Sequence, residues 1–315
     1  MPICATGLFI ALLGCYLVGC GTTNEDDTGD TGDTSDTGDD TGTDPFHPCD
    51  PGPVQHIYTG FNSDSAHYGL TVHANGLLTA DWVTNRAIRV DLATDTVAAD
   101  YPVSLKQSVG AHGAAYHTVD GTFWVADLDG SCVRQYDAQG RHLAHQAVGA
   151  QPVNIVPYGV QLIVPDRGQD KMYILKQADL TIEGSWDVEA LDGDQNTGFI
   201  DVVVHDNRLH IVADEFPGVA RADLDGANQD RLDFNSHHYM GIAIVDDTVI
   251  LHDGREVVIG GLDGTVWCTW DIEPPGGQST QYLDIAHVGD RLFFVSWISD
   301  LGLHLVAYEV GAPTR

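Results

Sequence analysis

Phe123-Trp124-Val125-Ala126-Asp127 is an apolar run that stops on an aspartate, and the chain repeats it. The same form returns as Leu77-Leu78-Thr79-Ala80-Asp81, Leu162-Ile163-Val164-Pro165-Asp166, Leu209-His210-Ile211-Val212-Ala213-Asp214 and Val249-Ile250-Leu251-His252-Asp253. A sixth run, Leu292-Phe293-Phe294-Val295-Ser296, keeps the apolar residues and loses the Asp. Repetition on this scale marks an architecture in which each unit cannot bury its apolar face alone and packs it against its neighbours.

Working outward from the first run, Gly113-Ala114-Ala115-Tyr116-His117 reads as a short strand before it, with Asp120-Gly121 as the tight turn between them. Cys132 to Tyr136 reads as a third strand, and Asp137-Ala138-Gln139-Gly140 turns into a fourth. Asp, Asn and Gly stand at these corners because hairpin turns need positive φ or a side chain that bonds its own backbone. The fourth unit repeats the order with Asp206-Asn207 and Asp223-Leu224-Asp225-Gly226, and the fifth with Asp246-Asp247 and Gly261-Leu262-Asp263-Gly264. No unit carries a 3.6-residue period, so the pattern predicts an all-β fold. Six such units over residues 51–315 make a six-bladed β-propeller, with Val54 to Gly60 supplying a strand to the last blade so that the ring has no open edge.

The order of inner strand, Asp-Gly or Asp-Asn turn, apolar strand ending in Ala-Asp, and Asp-x-x-Gly turn resembles NHL-type repeats and the related gluconolactonase-like, TolB-like propellers. Gly76-Leu77-Leu78-Thr79-Ala80-Asp81-Trp82-Val83-Thr84-Asn85-Arg86-Ala87-Ile88 carries the resemblance best. In such propellers the Asp closing the second strand braces the following loop, which is the role expected of Asp81, Asp127, Asp166, Asp214 and Asp253. The resemblance also places function at the channel mouth, where loops entering the innermost strands meet. There it implies that a divalent cation can be held, and His67, His112, His238, Asp201 and Asp284 are the candidate ligands. The acidic residue that lactonase-like members place on the first inner strand is replaced here by His67-Tyr68.

Ahead of the repeats, the apolar stretch from Ile3 to Gly19 has the length of a signal sequence rather than a membrane span. It ends in Leu17-Val18-Gly19-Cys20, which resembles the lipobox of bacterial lipoproteins. That resemblance implies removal of residues 1–19, lipidation of Cys20 and a stable membrane anchor at the outer membrane or cell surface. Residues 20–50 are an acidic Thr/Gly/Asp-rich linker with nothing to bury over most of its length, an expanded disordered tether of roughly 25–30 Å reach.

Acidic residues number 46 against 14 basic ones, for a formal charge of −32, which disfavours nucleic acid and anionic lipid surfaces as partners. Cys49, Cys132 and Cys268 remain in the mature domain, so at most one intrachain disulfide forms, and spacing does not choose the pair. Asp192, Asp194 and Asn196 alternate as in a calcium loop, although the glycine is one place late and Val203 stands where the bidentate Glu belongs. No GxSxG, HExxH, P-loop or dinucleotide fingerprint occurs. Two readings follow. One is a monomeric, lipid-anchored binding or scaffold propeller for protein or glycan partners, with no cofactor. The other is a metal-dependent lyase or lactonase-like hydrolase using an axial divalent cation such as Ca²⁺.

Overall fold

The computed structural model describes residues 48–52, 54–58, 67–73, 76–82, 84–103, 110–117, 120–188, 198–213, 216–235, 237–272, 280–298 and 302–310. Its strands are β1 (Val54–Tyr58), β2 (His67–His73), β3 (Gly76–Asp81), β4 (Arg86–Asp91), β5 (Thr96–Pro102), β6 (Ala111–Tyr116), β7 (Phe123–Asp127), β8 (Cys132–Tyr136), β9 (His142–Ala147), β10 (Val156–Tyr158), β11 (Gln161–Asp166) and β12 (Lys171–Lys176). They continue as β13 (Ile182–Asp187), β14 (Phe199–His205), β15 (Arg208–Ala213), β16 (Val219–Asp223), β17 (Asp230–Leu232), β18 (Gly241–Val245), β19 (Thr248–His252), β20 (Glu256–Gly261), β21 (Val266–Asp271), β22 (Thr280–Val288), β23 (Arg291–Ile298) and β24 (Gly302–Glu309). No helix occurs among the described residues.

These strands form six four-stranded antiparallel sheets, β2 to β5 making the first blade and β1 joining β22, β23 and β24 in the sixth. The inner strands β2, β6, β10, β14, β18 and β22 touch in cyclic order, and β22 meets β2 to complete the ring. Each of the six apolar clusters spans two neighbouring blades. Leu70, Leu77 and Ile88 of the first blade, for example, pack on Phe293, Val295 and Leu305 of the sixth. A blade is sandwiched on both faces, so its second strand is buried throughout, as in β3 and β7. Outer strands such as β5 and β9 alternate between partly buried and exposed positions. This is why the second strands are the continuous apolar runs of the sequence.

The bracing role of the strand-ending aspartates holds wherever they are described. Asp81 accepts from the Thr84 amide (3.2 Å), Asp127 from the Gly130 amide (2.7 Å), and Asp253 from the Arg255 and Glu256 amides (2.9 and 2.8 Å). Asp166 accepts from the amides of Ala150 (2.6 Å), Gln151 (3.1 Å) and Gln169 (2.8 Å), tying its loop to the one before it. Asp127 also takes the buried Arg134 Nε at 2.7 Å. Asp214 lies outside the described residues.

Ring closure is double. β1 adds to β24 with Val54 opposite Tyr308, and the Gly52 amide donates to Glu309 O at 2.8 Å. Just before it, Cys49 is disulfide-bonded to Cys268 of β21 in the fifth blade, and Trp270 Nε1 donates to Pro48 O at 2.9 Å. The choice that spacing leaves open is therefore Cys49 with Cys268, and Cys132 is a buried thiol.

Candidate functional site

Four inner strands begin with a register shift: between Tyr68 and Leu70 in β2, Ala111 and Gly113 in β6, Phe199 and Asp201 in β14, and Tyr282 and Asp284 in β22. In the second blade this starts the strand at Ala111, earlier than the alternation around Gly113 suggests, because the bulged His112 hides the pairing of Ala111 with Asp127. Near the starts of the six inner strands, Gly69, Gly113, Asn154, Asp201, Gly241 and Asp284 stand at one level around the axis, each followed by an aliphatic residue. The first two must be glycine. A Cβ on Gly69 would lie 2.7 Å from Gly113 Cα, and one on Gly113 would lie 2.5 Å from Asn154 Cα, so the first three blades meet backbone to backbone.

The polar members of this level are knitted together. Asp201 accepts from its own neighbour Val202 N (2.7 Å), from Asn154 Nδ2 (2.6 Å) and from Ile242 N (2.9 Å). Asp284 accepts from Ile285 N (2.7 Å) and from Leu70 N, and Asn154 Oδ1 accepts from Ile155 N (2.7 Å). Asp201 and Asp284 are also hydrogen-bonded to each other. Both are buried, at 5% exposure. Burial pushes Asp201 up to about 6 against the opposing pull of its donors. Asp284 rises well above the usual carboxylate range, first through burial and then through the charge of Asp201. Two buried carboxyls so placed share one proton between them.

The acid pair forms one end of an axial cavity of about 450 Å³. Its wall runs along the inner strands toward their C-terminal ends, through Val72, Pro157, Val203, Ile244, Val245 and Ala286. Exposure rises in that direction, from Leu70 (8%) to Val72 (42%), so the cavity opens at the face of the inner hairpin turns. No Lys or Arg lines it among the described residues. Around that opening stand the turn residues Asp206, Asp246, Asp247 and Asp290. His205 Nε2 lies 3.6 Å from Asp206 and 3.8 Å from Asp247.

The candidate ligands read from the sequence are distributed as follows. Asp201 and Asp284 meet on the axis. His112 is half-buried, and its Nδ1 donates to Val153 O at 3.0 Å. Burial holds it near 4, so the ring is neutral. His238 is exposed. His67 opens β2 opposite Asp81, and its side chain lies outside the described residues, as do Asp192, Asp194 and Asn196. Two mixed His and carboxylate groups went unnoticed in the sequence: His205 with Asp206 and Asp247, and His237 with Asp253 (3.8 Å) and Glu256 (4.0 Å). In each, the ligand atoms lie within 4.8 Å of one another. The signal for the first was present only as turn residues, Asp206-Asn207 and Asp246-Asp247, which hairpin geometry explains without reference to ligands, Asp206 and Asn207 having φ of 49° and 60°; in the second, Asp253 is already accounted for as the brace that ends its strand.

No protein-family model matches the sequence, and no reviewed protein sequence matches it. Solved structures do share the fold. A streptogramin B lyase superposes with a TM-score of 0.56 at 12% identity, covering 82% of this chain and 98% of its own. A catalytically inactive virginiamycin B lyase from Staphylococcus aureus with quinupristin gives 0.59 at 14%, covering 83% and 88%. The selenomethionine-substituted form of that Staphylococcus aureus lyase gives 0.56 at 14%, covering 84% and 89%. At these identities the likeness is one of propeller fold.

Proposed function

We propose that the chain is a lipid-anchored extracytoplasmic binding module, in which a six-bladed propeller on an acidic tether presents a preformed axial site to envelope protein or glycan partners. One observation carries the reading. The axial chamber of about 450 Å³ has walls that are aliphatic apart from Thr71 and His287, and a polar floor whose acids are already held by donors from five blades. A rigid, mostly apolar concavity with a few convergent polar groups is built for recognition. Anchoring through Cys20 is tested by palmitate labelling and fractionation: the lipid label and membrane association should both vanish in Cys20→Ala. Binding is tested by titrating the purified mature protein with envelope glycan fragments and peptides. A protein that is unlabelled and binds none of them refutes the proposal.

The second reading, a metal-dependent lyase or lactonase-like enzyme, has the buried acid pair in its favour. Asp201 and Asp284 would hold a hard, oxygen-preferring cation such as Ca²⁺, which supplies Lewis acidity to a carbonyl or ester oxygen. Metal content of the purified protein, compared with Asp284→Asn, tests it: a stoichiometric divalent ion lost in the variant supports the enzyme reading, and none in either protein removes it.

A further inference from the structure

We propose that the axial cavity takes a small organic monocation, a primary aliphatic amine, whose ammonium replaces the proton shared by Asp201 and Asp284 while its alkyl chain lies along the aliphatic wall. The inference rests on the binding-module reading and names the ligand class of that site.

Three features of the cavity converge on it. The floor is anionic and cut off from basic groups, since the described partners of Asp201 and Asp284 are amides, Asn154 and each other. Two carboxyls in one buried pocket require one positive charge between them, and a proton or a bound cation can supply it. Apart from Thr71 and from His287, whose ring burial holds below its ordinary value, the wall is hydrocarbon from five blades, so most of the ligand above the charge must be apolar. The opening is ringed by Asp206, Asp246, Asp247 and Asp290, which draw cations toward it. The arginines that begin the second strands on this face are engaged elsewhere, Arg208 with Asp223 (3.4 Å) and Asp230 (3.5 Å), and Arg291 with Asp95 (3.7 Å).

An ammonium fits the floor better than a divalent metal does. Ca²⁺ seeks six to eight oxygens. Besides the two acids, the polar lining side chains are Thr71, whose hydroxyl donates to Ala114 O at 2.6 Å, Asn154, whose Oδ1 is taken by Ile155 N, and His287, a nitrogen donor that a hard oxygen-seeking cation does not favour. An ammonium brings three donors of its own and needs only the spare lone pairs of Asp201 and Asp284. The exchange balances, because one alkylammonium enters and one proton leaves, and the charge of the pocket is unchanged. A volume of about 450 Å³ lies in the range of small-molecule sites.

The test titrates the purified mature protein with n-hexylammonium chloride, hexan-1-ol and CaCl₂ by calorimetry and thermal shift, alongside the envelope glycans and peptides of the previous test. The amine should bind at least tenfold more tightly than the alcohol, and Ca²⁺ should not compete with it. Asp284→Asn should weaken the amine at least tenfold. Val72→Trp, which plugs the exposed mouth without touching the acids, should do the same in a folded protein. Equal binding of hexan-1-ol, binding of Ca²⁺ in place of the amine, or full amine affinity in Val72→Trp would each overturn the inference. A glycan or peptide bound with no amine bound sinks it and leaves the binding-module reading standing; no ligand of any kind sinks both.

Discussion

Asp201 and Asp284 share a hydrogen bond between the fourth and sixth inner strands, and Gly241 is the residue that stands at their level on the intervening blade. Together they link the fourth and sixth inner strands past the fifth. At this pair the contact between blades depends on a proton.

Stability should therefore decline on the alkaline side. Both acids have folded-state values above the unfolded one of 3.8, so their contribution is full below pH 3.8 and is lost as pH rises through about 6 for Asp201 and higher for Asp284. Asp284→Asn keeps a single accepting oxygen where Asp284 uses two, so the amide of either Leu70 or Ile285 loses its acceptor, costing about 1–3 kcal/mol near pH 5. It cannot ionise, so the gap to the wild type should narrow between pH 5 and 8 in urea titrations. A gap constant with pH would mean that Asp284 is ionised throughout.

Three histidines act in the opposite direction. Burial lowers His252 to about 3 and His112 and His210 to about 4, from 6.5. Their stability contribution is full above pH 6.5 and disappears as pH falls through 6.5 toward 4, because unfolding lets each ring take up a proton. His252, fully buried against Phe294, should show this most clearly. In His252→Leu the dependence of unfolding free energy on pH between 6.5 and 4 should be shallower by about one proton. An unchanged slope would show that the ring is not held neutral.

Gly113→Ala should be costly although it adds one methyl group. The new Cβ would press on Asn154 Cα at 2.5 Å and push apart the second and third blades. A loss of about 1–3 kcal/mol is expected, with weakened support for Asp201 through Asn154. Denaturant midpoints measure it, and a loss within about 0.5 kcal/mol would mean that the inner strands do not meet this closely.

Cys49→Ser should lower stability by about 2–5 kcal/mol. Adding reductant to the wild type should give the same result, and reductant should have no further effect on the variant. A variant that melts with the wild type would place the closure of the ring in β1 and β24 alone.

Much of the architecture was legible because a blade's second strand is buried on both faces. Leu77 to Asp81 and Phe123 to Asp127 could not be written with alternating polar residues and still pack between neighbours. The aspartate braces were legible because their amides lie two or three residues away, as with Asp253 and Glu256. Asp201 and Asp284 could be named as axial candidates because inner strands converge, but their mutual contact depends on the level that each bulge sets, which no local pattern records. His112 is the converse case. Its Nδ1 is committed to the carbonyl of Val153 on the next blade, a partner 41 positions away. The cavity was invisible for the same reason, being lined by ordinary valines and isoleucines that acquire meaning only when five strands face one another.

The covalent bond between Cys49 and Cys268 also decides where mechanical load goes. A pull arriving through the N-terminal segment reaches the fifth blade by way of that sulfur bridge before it reaches β1. The strand that completes the sixth blade is thereby shielded from peeling, and under such a pull the ring would stay closed until the bridge is reduced.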